Sequence, residues 1–378
     1  MPNIYEIPES QLPLLKKPGL YYLKFFRTPY AINNILKYIL LIFSTALLAA
    51  CSYNKPHEKR SIERSFYFWK SVFKPTTFEK TVTGSINVKT IYLKFFDVNW
   101  NENTLQPEPA AQVNIVDTDF LESKKIIPVV FITNECIYRL DSLQAIPLAE
   151  KISTLMKAII LNNHLANIPE IQIDCDWTVT TKDKYFTILK KIKELSQPLP
   201  ISATIRLHQV KYIGKSGIPP VDRGLLMCYN MGNLKDPATD NSILETKELK
   251  KYTGTLSTYP LPLDVALPLF EWKVLFRFGK FKGLIQNLSD SVFKTNFVDK
   301  KANTFIFLKD TLLSGYDFKK GDIVRNEKSD YNEIMSTAKE ISNQLSNNTL
   351  RVSLFHLDSL TLRKYPIYEL ENIYSSLR

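Results

Sequence analysis

The stretch Ile171-Gln172-Ile173-Asp174-Cys175-Asp176-Trp177-Thr178 enters apolar and leaves acidic. Its opening residues read as a buried strand. Side chains alternate across a strand, so Asp174 and Asp176 leave by one face, while Ile173, Cys175 and Trp177 leave by the other. Two carboxylates on the inner face of a strand are costly to desolvate unless something meets them. Catalysis, a sugar or cation ligand, or a structural hydrogen-bond network would each supply a reason. Trp177 reads as a core residue, because it points away from Asp176; the alternative is an aromatic floor for a sugar.

Outward from this strand, seven further apolar segments of similar length are spaced along the chain. They are Thr90–Val98, Ile127–Thr133, Ser202–His208, Gly224–Asn230, Leu263–Phe270, Asp322–Asn326 and Arg351–Leu357. Helical periods separate several of them: Pro147–Asn163, Lys182–Ser196, Ile243–Tyr252, Tyr331–Leu345 and Ile367–Leu377. Strands alternating with helices predict an α/β fold with a parallel sheet, and eight such units predict a (β/α)8 TIM barrel over residues 88–378. Glu271–Ile285 alternates around Gly279 and reads as a hairpin over the barrel mouth.

The chain has 378 residues, 44% of them hydrophobic, which is enough to bury a substantial core. Its formal net charge is +11. Residues 1–50 hold five basic and two acidic side chains, so the chain from Cys51 onward keeps 44 basic against 36 acidic, or +8. That balance suits anionic surfaces. The absence of an Arg-rich helix or an aromatic-basic repeat argues against a nucleic-acid partner. None of the four cysteines forms a Cys-x-x-Cys pair, and no motif calls for a metal or a cofactor, so neither is assigned.

Residues 39–50, Ile-Leu-Leu-Ile-Phe-Ser-Thr-Ala-Leu-Leu-Ala-Ala, follow Lys37 and are too short for a comfortable membrane span. They have the length of a signal-peptide core. The ending Leu48-Ala49-Ala50-Cys51 resembles the bacterial lipobox. The resemblance implies cleavage before Cys51, acylation of its thiol and a lipid anchor in the membrane. With Ser52 next, it points to the bacterial outer membrane, and the lack of an acidic run after it favours the periplasmic side over the cell surface. Residues 1–50 are then a signal peptide, and 51–87 a lipidated tether and packing segment in which Glu63–Phe73 reads as an amphipathic helix.

Chemistry in barrel enzymes sits where strands end. The expected strand ends carry Asp97, Asn134-Glu135, Asp174/Asp176, Arg206/His208, Tyr229-Asn230, Glu271-Trp272, Glu327 and His356. Here a resemblance becomes specific. Ile171-Gln-Ile-Asp-Cys-Asp-Trp-Thr178 is similar to the Asp-x-x-Asp-x-Asp-x-Glu strand of glycoside hydrolase family 18, with Asp174 and Asp176 on the second and third acids. Ile171 stands at the first, and Thr178 stands where that family has its catalytic Glu. Leu226-Met-Cys-Tyr229-Asn230-Met-Gly232 resembles the family's Met-x-Tyr-Asp/Asn strand, whose polar pair supports the substrate's acetamido group.

A nearer resemblance is to an uncharacterised bacterial TIM-barrel family distantly similar to those hydrolases. It is carried by Gln172–Asp176, Leu199–Thr204, Leu226–Gly232 and Leu261–Pro268. It covers roughly residues 88–300 and implies a fold, not a reaction.

Thr178 is no general acid. For hydrolysis, either Asp176, its pKa raised by Asp174, delivers the proton, or Glu271 or Glu327 reaches across. The catalytic candidates are therefore Asp174, Asp176 and Glu271. The substrate-binding candidates are Tyr229, Asn230, Trp272, Arg206, His208 and Asp97. The expected function is hydrolysis or binding of a glycan at the cell envelope; the alternatives are a glycan-binding barrel without catalysis, or a structural or assembly lipoprotein.

Overall fold

The computed structural model describes residues 60–285 and 288–378; the expected signal peptide, Cys51 and most of the tether lie outside them. Seven barrel strands come first, beside three short strands outside the barrel ring: β1 (Ser61–Phe68), β2 (Thr90–Asn101), β3 (Lys125–Ile132), β4 (Ile171–Asp174), β5 (Ile201–Arg206), β6 (Arg223–Met227) and β7 (Leu263–Pro268). A separate antiparallel sheet follows, made of β8 (Glu271–Arg277), β9 (Lys280–Ile285), β10 (Val298–Lys301), β11 (Thr304–Phe307) and β12 (Ile323–Lys328). The chain then returns as β13 (Thr349–Phe355), which pairs with β7 and with β1. Because β1 also pairs with β2, the eight parallel strands close into a (β/α)8 barrel.

The connecting helices are α1 (Thr77–Ser85), α2 (Ala145–Asn162), α3 (Lys182–Ser196), α4 (Leu207–Lys211), α5 (Thr246–Thr253) and α6 (Tyr331–Gln344), with α7 (Ile367–Ser375) closing the chain. The apolar stripe of α3, Tyr185, Ile188, Leu189 and Ile192, is buried against the barrel wall.

Two expectations are corrected. The first barrel strand is not Thr90–Val98 but Ser61–Phe68, inside the segment read as tether and helix, so the barrel begins before Val88. Phe66 and Phe68 join the core between barrel and helices, while Tyr67 joins the cluster inside the barrel. That is a two-residue period, which a short aromatic-rich run does not distinguish from a helical one. Conversely, Asp322–Asn326 is not a barrel strand. It lies in β12, antiparallel to β8 and β11, in the sheet inserted between β7 and α6. The expected hairpin over Glu271–Ile285 is β8–β9 of that sheet.

The barrel interior is filled in layers. Near the strand starts, the buried Arg351 guanidinium donates to Glu170 (3.0 Å) and to the Tyr92 hydroxyl (3.1 Å). It also lies 3.5 Å from Glu63 and 3.7 Å from Asp264, whose other cation is Arg223 at 3.2 Å. Above it, Tyr67 stacks on Tyr92 (4.8 Å between centroids) and donates to Gln172, which donates to Ser202 at 3.3 Å. Removing one member of a buried ionic layer leaves uncompensated charge, which costs about 3–5 kcal/mol. Arg351→Ala is therefore expected to destabilise the barrel by that amount in urea unfolding at neutral pH, and a loss below 1 kcal/mol would show that the layer is not structural.

Candidate functional site

Strand β4 ends at the mouth of the barrel, and its inward column ends in Asp174 and Asp176. Asp174 is buried and accepts a hydrogen bond from the Thr204 hydroxyl on β5 at 2.5 Å. Burial, and then the neighbouring Asp176 charge, push its pKa from 3.8 up to about 7. Asp176 is held by Arg206 through two bonds, Nε to Oδ1 at 2.5 Å and Nη2 to Oδ2 at 3.0 Å. This is a fork-to-fork pair with fixed geometry. Gln209 of α4 keeps the two strand ends in register, donating to the Trp177 carbonyl (3.1 Å) and accepting from the Arg206 N–H (2.8 Å).

Three polar atoms at this mouth are buried and have no partner among the described residues: Nη1 of Arg206, the Tyr229 hydroxyl and Oδ1 of Asp97. Arg206 lies over the Tyr229 ring at 5.9 Å, and Asp97 takes Lys94 on its other oxygen at 3.0 Å. Asp97, Asp176 and Arg206 all act on the Asp174 carboxyl, which places the four groups in one electrostatic cluster. Around them runs a row of half-buried rings. Trp69 meets Phe131 (6.0 Å) and Phe355 (5.8 Å), Phe355 meets Phe270 (5.7 Å), and Phe270 meets Trp272 (5.1 Å). Beside Asp176 and Thr178 opens a cleft of about 650 Å³, walled on its far side by Glu135, Tyr138 and Arg139.

The remaining candidates are placed differently. Glu271 forms an ion pair with Lys364 at 2.6 Å and, as the strand neighbour of Trp272, leaves β8 by the opposite face. Glu327 is buried and takes bonds from Trp272 (2.7 Å), Arg325 (2.6 Å) and Ser242 (2.5 Å). The indole N–H of Trp272 is therefore committed to the protein. His208 is exposed on α4, with its pKa lowered by partial burial and by the Arg206 charge. Asn230 is exposed at the turn after β6, with φ of 57°. Trp177 is a core residue, stacked on Tyr185 and bonded to the Ser216 carbonyl. Thr178 belongs to the turn that starts α3: its N–H donates to the Thr181 hydroxyl, and its carbonyl receives the Lys182 N–H. Among the described residues, no group of His, Cys, Asp and Glu is arranged to hold a metal ion.

Sequence reasoning missed Trp69, Phe131, Phe270 and Phe355 as the rim. Trp69 was hidden by the misread first strand, whereas Phe131 and Phe355 follow the inward alternation of Val129 and Ser353 and were legible on that ground. The partners Thr204 and Lys94 carried no signal, since a hydroxyl or an amine within a strand is common.

The raised carboxyl carries a stability consequence. Asp174 in the unfolded chain ionises near 3.8 and in the folded chain near 7, so the folded state holds the extra proton between them. Stability then falls as pH rises through that window, by up to about 4 kcal/mol. Asp174→Asn is expected to flatten the fall between pH 4 and 7.5 in urea titrations; an unchanged pH profile would show that the carboxyl is ionised in the fold.

No protein-family model matches the sequence, and neither does any curated protein. Solved structures do share its fold. The spore cortex-lytic enzyme SleL of Bacillus megaterium aligns with 84% of this chain and 75% of its own, at 12% identity and a TM-score of 0.51. SleL of Bacillus cereus aligns over the same shares at 14% identity and a TM-score of 0.50. A chitinase from Chromobacterium violaceum aligns with 83% of this chain and 97% of its own, at 8% identity and a TM-score of 0.49. At these identities the likeness is one of fold: the chain has a (β/α)8 barrel similar to that of the spore cortex-lytic enzymes.

Proposed function

We propose that the mouth of this barrel binds a glycan, and that it holds the chain rather than cutting it by the route implied by the family-18 resemblance. The observation that carries the proposal is the set of unpartnered buried groups, Arg206 Nη1, Tyr229 hydroxyl and Asp97 Oδ1, inside a row of half-buried rings. Buried donors and acceptors are normally satisfied, so groups left unpartnered just beneath the rings of the mouth fit a ligand rich in hydroxyls that displaces side chains to reach them. The rings offer apolar faces for the CH faces of sugars. The name of the SleL proteins, which share the fold, places those enzymes on spore cortex and so adds envelope polysaccharide to the classes worth testing.

Against cleavage stand Thr178 at the acid position, both oxygens of Asp176 held by Arg206, and the pairing of Glu271 with Lys364 and of Glu327 with three donors. One feature favours a hydrolytic reading: the buried Asp174 carboxyl beside the mouth is pushed up to about 7 by burial and by the Asp176 charge. In that reading Asp174 is the acid, and reducing ends appear on long incubation and vanish in Asp174→Asn.

The proposed setting is the outer membrane, facing the periplasm, with the barrel tethered through an acylated Cys51; this rests on the lipobox resemblance. Growth with an alkyne fatty acid is expected to label the native chain and not Cys51→Ser, and equal labelling of both would remove the anchor. For the site, calorimetry with N-acetylglucosamine oligomers is expected to give saturable binding without new reducing ends. Tyr229→Phe should weaken it by about 0.5–1.5 kcal/mol, roughly two- to tenfold, and Glu271→Gln should leave it unchanged. Failure of any soluble amino-sugar or cell-wall oligomer to bind would refute the glycan reading.

A further inference from the structure

The inserted sheet has an end that the glycan reading does not use. Strand β8 runs out at Arg277, whose guanidinium bonds Asp322 at 2.9 and 2.8 Å just before β12 begins. Strand β11 runs out at Phe307, which exchanges backbone bonds with Asp322 and Gly321 at the same end. The turns after β8 and β11 and the turn before β12 therefore share one tip. The 311–318 hairpin is tied to it by Arg277 donating to the Asp317 carbonyl and by Lys320 N–H donating to Asp310.

That tip exposes three large apolar side chains on three separate segments: Phe278 in the turn after β8 (86% exposed), Leu308 just after β11 (50%) and Leu312 in the first strand of the 311–318 hairpin (74%). Phe278 sits in the hairpin turn with φ of 51°, a conformation that Asn or Gly adopts with less strain than a bulky ring. Lys280, Lys309 and Lys320 stand exposed on the same turns and make no ion pair among the described residues; Lys319 instead holds Asp310 and Asp317. Residues 271–328 carry twelve basic and seven acidic side chains, so this insertion supplies +5 of the chain's formal +11.

We infer that this tip docks on an anionic lipid surface, with Phe278, Leu308 and Leu312 entering the headgroup region and the lysines meeting lipid phosphates. Lysines near an anionic leaflet are attracted within a Debye length of it, and apolar side chains that project between them add burial. Charge complementarity chooses this occupant. A soluble polyanion would use the lysines and leave the three apolar groups in water. The inference is independent of what the barrel mouth binds.

The test uses the full chain with Cys51→Ser and Leu312→Cys, labelled there with an environment-sensitive fluorophore; Cys136, Cys175 and Cys228 are buried and do not compete. Vesicles containing phosphatidylglycerol are expected to blue-shift the label, pure phosphatidylcholine vesicles to leave it nearly unchanged, and a control label at Lys151→Cys on α2 to stay unshifted in both. Lys309→Glu with Lys320→Glu is expected to abolish the shift without lowering the melting temperature. No shift at position 312, an equal shift at position 151, a shift indifferent to the lysine changes, or a shift produced by heparin and not by vesicles would each overturn the proposal.

Discussion

Every inward residue of β4 and its extension is polar, and each is met by a residue from another strand. Glu170 is bonded by Arg351 of β13, Gln172 by Tyr67 of β1 and Ser202 of β5, Asp174 by Thr204 and Asp176 by Arg206, both of β5. Such a column inside a barrel is tolerable only when each polar group finds its partner, since one left bare costs more than a made bond returns. The constraint fixes the register of β1, β5 and β13 about β4. It also explains why aromatic residues, with their hydroxyls aimed at the column, share the interior with polar ones.

The same constraint changes as the column reaches the mouth. At the base, Arg351 is surrounded by Glu63, Glu170 and Asp264, and the layer is closed to solvent. At the top, Arg206 uses two nitrogens on Asp176 and keeps a third buried without a partner, and Tyr229 and Asp97 also keep a buried atom unpartnered. The chemistry is alike at the two ends, and both keep buried polar atoms without a hydrogen-bond partner, Glu170 Oε1, Asp264 Oδ2 and Arg351 Nε at the base; the upper layer differs in lying beside the half-buried rings of the mouth.

The barrel was legible because seven of its eight strands are short apolar runs bounded by helical periods, and helices such as Lys182–Ser196 fall where their spacing places them. The first strand was not, because Glu63–Phe73 mixes charges and rings in a way that fits two periods, and Tyr67 shows its side of the sheet only by what it meets across the barrel. Strand β12 was misassigned for a related reason. Its alternation is real, but alternation says nothing of whether a partner runs parallel or antiparallel, and Val324 and Arg325 belong to another sheet. Within the site, Asp174 and Asp176 were legible from spacing. Spacing left the proton donor open between Asp176 and a Glu from another strand; it gave no sign that Asp174, buried and facing Asp176, is a carboxyl pushed upward. Burial decides that, and spacing carries no burial.

The pairing of Asp176 with Arg206 and the presence of Thr at 178 belong together. A carboxylate flanked by a neighbouring acid shares protons with it, and hydrolysis assisted by the substrate's acetamido group needs both a proton donor and an Asp free to orient that group. With Thr178 absorbed into the helix-entry turn of α3, no donor stands at that position, and an unpaired Asp176 would be a bare charge over a buried Asp174. Arg206 removes that cost by neutralising Asp176. It leaves the carboxylate oxygens with further lone pairs and keeps one buried nitrogen of its own without a partner.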